Sequence, residues 1–111
     1  MKNKVIMITG GSSGMGKAMA KRFAAEGAKV VITGRHMDKL EATKKEIECY
    51  AGQVLCVDMD VRDPERVQYT VDYAIETFGK IDGLVNNAAG NLICPAEDLS
   101  INGWNAVIDI V

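Results

Sequence analysis

Thr9-Gly10-Gly11-Ser12-Ser13-Gly14-Met15-Gly16 stands between an apolar run, Val5-Ile6-Met7-Ile8, and a segment in which Met15, Met19 and Phe23 recur every four residues. The run before it has the character of a parallel strand buried on both faces. The segment after it reads as a helix with those three residues on its inner face, stopping near Gly27. Strand, glycine-rich turn and helix in that order direct backbone N–H groups and the positive end of a helix dipole at whatever occupies the turn, and pyrophosphate suits that environment. Three of its glycines have a physical task. Gly10 permits a tight exit from the strand, Gly14 lets backbone approach phosphate, and Gly16 lets the helix pack close to the sheet.

Beyond the turn, strand and helix signals alternate with short connections, the pattern of a parallel sheet covered on both faces. Lys29 to Thr33 reads as a second strand, followed by a helix with Leu40 and Ile47 inward that extends to about Tyr50. Val54 to Val57 is a third strand. Asp63-Pro64-Glu65 opens a third helix with a capping acid and a proline in the first turn; Val67, Val71, Ile75 and Phe78 form its expected buried face, and Gly79 ends it. Ile81 to Val85 is a fourth strand. Ser100 reads as the N-cap of a last helix, with Trp104, Val107, Ile108 and Val111 at helical spacing. The fold class is therefore α/β: a Rossmann-type doubly wound parallel sheet, in four βα units.

The 111 residues, 48% of them apolar, match one domain over 1–111. With 13 basic and 15 acidic residues the net charge of −2 gives no field that would draw nucleic acid or an anionic membrane. The apolar run near the N-terminus is ended by Thr9-Gly10-Gly11, so it reads as a strand rather than a leader, and no stretch approaches the roughly 18 apolar residues of a spanning helix. A cytoplasmic location is expected. Cys49, Cys56 and Cys94 lack metal or redox spacing, and with one histidine, His36, no metal site is expected. The thiols read as buried or idle, Cys94 being the one placed in a loop near the site.

In such folds the site gathers at the carboxyl ends of the strands. After strand two, where an NAD-binding enzyme carries an acid for the ribose 2′-hydroxyl, the chain has Gly34-Arg35-His36. Arg35 suits a 2′-phosphate, a charge-assisted contact worth roughly 1.5–3 kcal/mol, against the plainer reading of a solvated arginine. After strand three, in Met59-Asp60-Val61-Arg62-Asp63, the Asp60 carboxylate and the adjacent backbone N–H of Val61 could pair with the edge of adenine, or Asp60 could cap a turn. After strand four, Asn86-Asn87-Ala88-Ala89-Gly90-Asn91 combines small residues that admit a ligand with amides that can hold a turn.

The Thr9–Gly16 turn and the Asn86–Gly90 segment together resemble the two hallmarks of the short-chain dehydrogenase/reductase family, over essentially the whole chain. Asn86 to Pro95, taken with Asp60-Val61-Arg62-Asp63-Pro64, is similar to its 2,4-dienoyl-CoA reductase branch. The resemblance implies NADP(H) held by Gly10, Ser12, Ser13, Gly14, Met15, Gly16, Arg35, Asp60, Val61, Asn87, Ala88 and Gly90, with the adenine role for Asp60. It implies an acyl-CoA thioester near Arg62 and Leu92, where Arg62 could meet a CoA phosphate or stand as an exposed charge beside a helix start. The implied reaction is hydride transfer from NADPH that removes one double bond of a conjugated dienoyl-CoA, in unsaturated fatty acid oxidation. The alternatives are a cofactor-binding fragment without catalysis and a 3-oxoacyl or other carbonyl reductase.

The family places its catalytic Asn, Ser, Tyr and Lys mostly further along, so no catalytic residue is assigned, and neither His36 nor Tyr50 is taken to fill the role. Val111 falls inside a helical pattern without a glycine stop or cap, which predicts that the sequence is the N-terminal part of a longer protein, a homo-oligomer by resemblance. With the family's strand order 3-2-1-4-5, strand four is then expected to expose an open edge, and Trp104, Val107 and Ile108 to lack cover, so that the isolated chain self-associates or is marginally folded.

Overall fold

In a computed structural model, which describes residues 2–12, 14–48, 53–87 and the backbone of 92–95, the chain alternates strand and helix. The elements are β1 (Val5–Thr9), α1 (Gly14–Ala25), β2 (Lys29–Gly34), α2 (Met37–Glu48), β3 (Val54–Asp58), α3 (Pro64–Phe78), β4 (Gly83–Asn86) and β5 (Leu92–Pro95). They form one sheet in the order β3-β2-β1-β4-β5. The first four strands are parallel, with Thr9 level with both Thr33 of β2 and Asn86 of β4, and Gly34 level with Asp58 of β3. The carboxyl ends of the four strands therefore come out side by side.

The continuous apolar runs follow from burial on both faces. Val5, Met7, Val31 and Leu84 face α3 and pack with Val67, Val71 and Ala74. Ile6, Ile8, Val30, Ile32 and Val85 face α1 and α2 and pack with Ala20, Ala24, Leu40 and Ile47. Successive side chains of a strand point to opposite faces, so the middle of a strand covered on both sides is apolar at every position, and the buried polar residues Thr9, Thr33 and Asn86 fall at or near the strand ends.

Two helix faces differ from the periodicity expected of them. In α1 the buried residues are Gly16, Ala20 and Ala24, with Met19 and Phe23 only partly covered and Met15 57% exposed. Small residues let the helix axis approach the sheet, and that closeness rotates the bulky set to the flank. In α3 Thr70 and Ala74 join Val67 and Val71 in the interior, while Ile75 is 44% exposed. Thr70 can be buried because its hydroxyl donates to the Arg66 carbonyl at 2.8 Å. The caps of α3 are as the sequence indicates. The Asp63 carboxylate accepts from the backbone of Glu65 and Arg66, Pro64 follows it, and Gly79 closes the helix in the left-handed region.

The outer edge of β4 is not open. β4 covers Gly83–Asn86 rather than 81–85, and Leu92–Pro95, expected as loop, pairs antiparallel with it, Asn86 opposite Leu92 and Gly83 opposite Pro95. A proline at the end of an edge strand withholds one N–H from the next neighbour. The expected last helix with Ser100, Trp104, Val107, Ile108 and Val111 lies outside the described residues, as does the end of the second helix at Tyr50.

Candidate cofactor-binding site

The glycine-rich turn is held by its neighbours on both sides. Gly10 leaves β1 with φ 66°, a conformation other residues adopt at a cost. The N–H groups of Gly10 and Gly11 both donate to the Thr33 carbonyl, at 2.8 and 3.1 Å, so the turn is laced to the end of β2. These two donors are spent on the protein. The first turn of α1, which opens at Gly14, is what presents backbone N–H groups without intrahelical partners. A Cβ on Gly16 would run into the carbonyl oxygen of Gly10 and come within 2.7 Å of Asn87 Nδ2. Gly11, to which the sequence reading assigns no task, is equally constrained: a Cβ there would lie 2.6 Å from Ile32 Cβ and Cγ2.

The asparagine that ends β4 and the one after it reach back to this turn. The Thr9 hydroxyl donates to Asn86 Oδ1 at 3.1 Å and to the Val85 carbonyl at 3.4 Å, and Asn87 Nδ2 donates to the Gly10 carbonyl at 3.3 Å. The amides hold the turn after β1 in place. Ser12 is half-buried there, and Met15 stands exposed.

At the ends of β2 and β3 lies an open cleft of about 220 Å³ lined by Arg35, Asp58, Met59, Asp60 and Arg66. Its acids are each taken by a different arginine. Asp60 Oδ1 accepts from the backbone N–H of Arg62 at 2.9 Å and from Arg62 Nε at 3.1 Å, while Oδ2 accepts from Nη2 at 2.8 Å. These bonds from Arg62, side chain first and backbone second, pull the Asp60 carboxyl down to about 2. Asp60 thus does cap a turn, and Arg62, the expected partner of a CoA phosphate, has its guanidinium committed to Asp60. A carboxylate offers about four acceptor positions, so an adenine contact by Asp60 stays chemically open. Asp58 pairs with Arg66 Nη2 at 3.0 Å. Arg35 makes no hydrogen bond or ion pair with any described residue, and its charge acts on Asp60 across the cleft only at a distance, as the smallest of the influences that lower that carboxyl.

Gly10, Ser12, Gly14, Met15, Gly16 and Asn87 therefore meet at the ends of β1 and β4, and Arg35, Asp60, Val61 and Arg62 meet at the ends of β2 and β3. Ser13, Ala88 and Gly90 lie outside the described residues, and of Leu92 only its backbone place in β5 is described. Asp58 and Arg66 line the cleft without having been singled out in the sequence, where the only signal was the Asp63-Pro64 start that sets Arg66 in the first turn of α3. The Cys56 thiol donates to the Leu40 carbonyl at 3.4 Å and is pushed up to about 11 by burial, an idle thiol as expected. Cys49 lies outside the described residues, as does the side chain of Cys94. Among the described residues no group of three or more side chains could hold a metal ion, and no helix is long and apolar enough to cross a membrane.

The family described as short chain dehydrogenase matches residues 4–111. The chain belongs to that family. Among its relatives, a probable 2,4-dienoyl-CoA reductase of Bacillus subtilis, (2E)-enoyl-CoA-producing, is 56% identical over 111 residues, covering 100% of this chain and 44% of the relative. The mouse peroxisomal 2,4-dienoyl-CoA reductase, (3E)-enoyl-CoA-producing, is 43% identical over 111 residues, covering 99% of this chain and 38% of its own length. A crystal structure of a short chain dehydrogenase from Bacillus anthracis superposes with a TM-score of 0.75 at 64% identity, over 99% of this chain and 44% of that one. This member of the short-chain dehydrogenases thus spans less than half the length of the relatives it matches.

Proposed function

We propose that these residues form the NADP(H)-binding part of a short-chain reductase that acts on 2,4-dienoyl-CoA thioesters. The observation that carries the cofactor assignment is Arg35: both acids of the cleft are neutralised by their own arginines, which leaves the Arg35 guanidinium as the cation available to a ribose 2′-phosphate. The glycine turn fits the pyrophosphate of the same molecule, because Gly16 and Gly11 have no room for a side chain and the first turn of α1 opens toward it. Asp60 and the Val61 backbone are assigned to adenine, and Ser12, Ser13, Asn87, Ala88 and Gly90 belong to the same assignment. When bound, the nicotinamide supplies the hydride. The chain's own residues bind and orient the cofactor.

The acyl-CoA substrate is supported by 56% identity to the Bacillus subtilis relative, with Arg62 and Leu92 as its proposed contacts and the oxidation of unsaturated fatty acids as the setting. A cytoplasmic homo-oligomer without nucleic-acid or membrane partners completes the reading. Titration calorimetry with NADPH and NADH tests the cofactor. NADPH is expected to bind roughly ten- to a hundredfold tighter, with the preference lost in Arg35→Ala; equal affinities overturn the assignment. A second reading, a nucleotide-binding module without chemistry, is favoured by the described site residues being assigned to binding, with no catalytic residue among them. NADPH oxidation on adding a 2,4-dienoyl-CoA selects the first, oxidation with only a 3-oxoacyl thioester selects carbonyl reduction, and binding without turnover selects the module.

A further inference from the structure

We infer that Arg66 is a positioning residue for cofactor preference: by gripping Asp58 it keeps that carboxylate from cancelling Arg35, so that the cleft presents one uncompensated positive charge to a phosphorylated ribose. The inference rests on the NADP(H) reading above and adds to it the residue pair that makes Arg35 effective.

Arg35 and Asp58 are the hazard. Gly34 and Asp58 are level across the β2–β3 pair, so Arg35 leaves β2 beside the point where Asp58 ends β3, and both line the same cleft. The Asp58 side chain is 58% exposed. Left to itself, it would pair with Arg35 or repel a phosphate placed on Arg35. Arg66 prevents both with a forked grip. Its Nη2 donates to Asp58 Oδ1 at 3.0 Å while its Nε donates to the Asp58 backbone carbonyl at 2.9 Å. The guanidinium also lies over the ring of Tyr69, 4.3 Å from its centroid. Three contacts on one planar group fix its direction, a task for which the point charge of a lysine is unsuited. Asp60 is held by Arg62 in the same cleft, so with both acids paired the charge that remains is that of Arg35.

The test is calorimetric titration of the full chain with NADPH and NADH, using Arg66→Gln, Asp58→Asn, the double variant and Arg35→Ala. Arg66→Gln is expected to weaken NADPH roughly three- to tenfold, the size of one like-charge contact in a mostly solvated cleft, and to leave NADH within about twofold. Adding Asp58→Asn to it should restore NADPH affinity. Asp58→Asn alone, which leaves α3 unaltered, should raise NADPH affinity, because it removes the negative charge and leaves the charge of Arg66 unopposed. Equal weakening of both cofactors by Arg66→Gln, no effect of that change, failure of the double variant to recover, or no gain from Asp58→Asn each overturn the inference. If the unaltered chain does not distinguish the cofactors, or Arg35→Ala changes nothing, the NADP(H) reading itself fails, whatever Arg66 does.

Discussion

Asn87 Nδ2 and the Gly10 carbonyl, 77 positions apart in sequence, are joined at 3.3 Å, so the segment after β4 fixes the shape of the turn after β1. The bond is part-buried, and the carbonyl it serves is the one a side chain on Gly16 would strike. Asn87→Ala is expected to lower stability by about 1–2 kcal/mol, the net value of the bond plus a partly orphaned acceptor. Cofactor affinity should fall with it. Thermal melts and NADPH titration check this, and a variant that keeps both stability and affinity would show that the turn holds its form unaided.

Gly16 supports a sharper expectation. Its missing side chain is replaced on one side by backbone of the turn and on the other by Asn87, neither of which is the loose end of a long side chain. Gly16→Ala must push α1 away from the sheet, where Ala20 and Ala24 are fully packed. Such overpacking costs roughly 1–3 kcal/mol, in spite of alanine's better helix propensity. Chemical denaturation measures it. A gain in stability would mean that the helix stands further out than the structure has it.

What could be read from the sequence was what is local. Strands β1 to β4, the turn and the caps of α3 are written in neighbouring residues: an apolar run, glycines at the turn, Asp63 before Pro64, Gly79 after Phe78. The inward face of α1 was not, because Gly16, Ala20 and Ala24 carry little hydropathic signal beside Met15, Met19 and Phe23, and close approach to the sheet, a tertiary condition, selects the small set. Strand β5 escaped for a similar reason. Leu92-Ile93-Cys94-Pro95 is four residues long, and nothing in it says that β4 lies alongside. In the cleft, Arg35 and Asp60 stand directly beyond their strands and could be named, whereas Asp58 and Arg66 meet only because α3 folds back over the end of β3.

Asp60 should titrate far from an ordinary aspartate. The Arg62 side-chain and backbone bonds bring its carboxyl from the usual 3.8 to about 2. A carboxyl depressed on folding favours the folded state above its unfolded value and loses that contribution as the pH falls through the folded one, so the pair is expected intact at pH 4 and open only as pH approaches about 2. Carboxyl carbon shifts followed by NMR give the midpoint directly. Arg62→Ala should return it toward 3.8; a midpoint that stays near 2 in that variant would assign the depression to the backbone N–H of residue 62 and to Arg35.

Thr33 offers a test in the opposite direction. Its residue is fully buried, yet its Oγ1 has no hydrogen-bond partner among the described residues, while its backbone carbonyl is the one that accepts from Gly10 and Gly11. The side chain and the main chain of this residue therefore have separable roles. Valine keeps the branched shape and the carbonyl and removes the buried hydroxyl, whose desolvation is not offset by a bond. Thr33→Val is expected to raise stability by about 1 kcal/mol and to leave the turn, and with it NADPH affinity, as it was. Paired denaturation curves and NADPH titrations decide it. A loss of stability would place a bonding partner on that hydroxyl, and a loss of affinity with stability intact would bring Thr33 into the cofactor site.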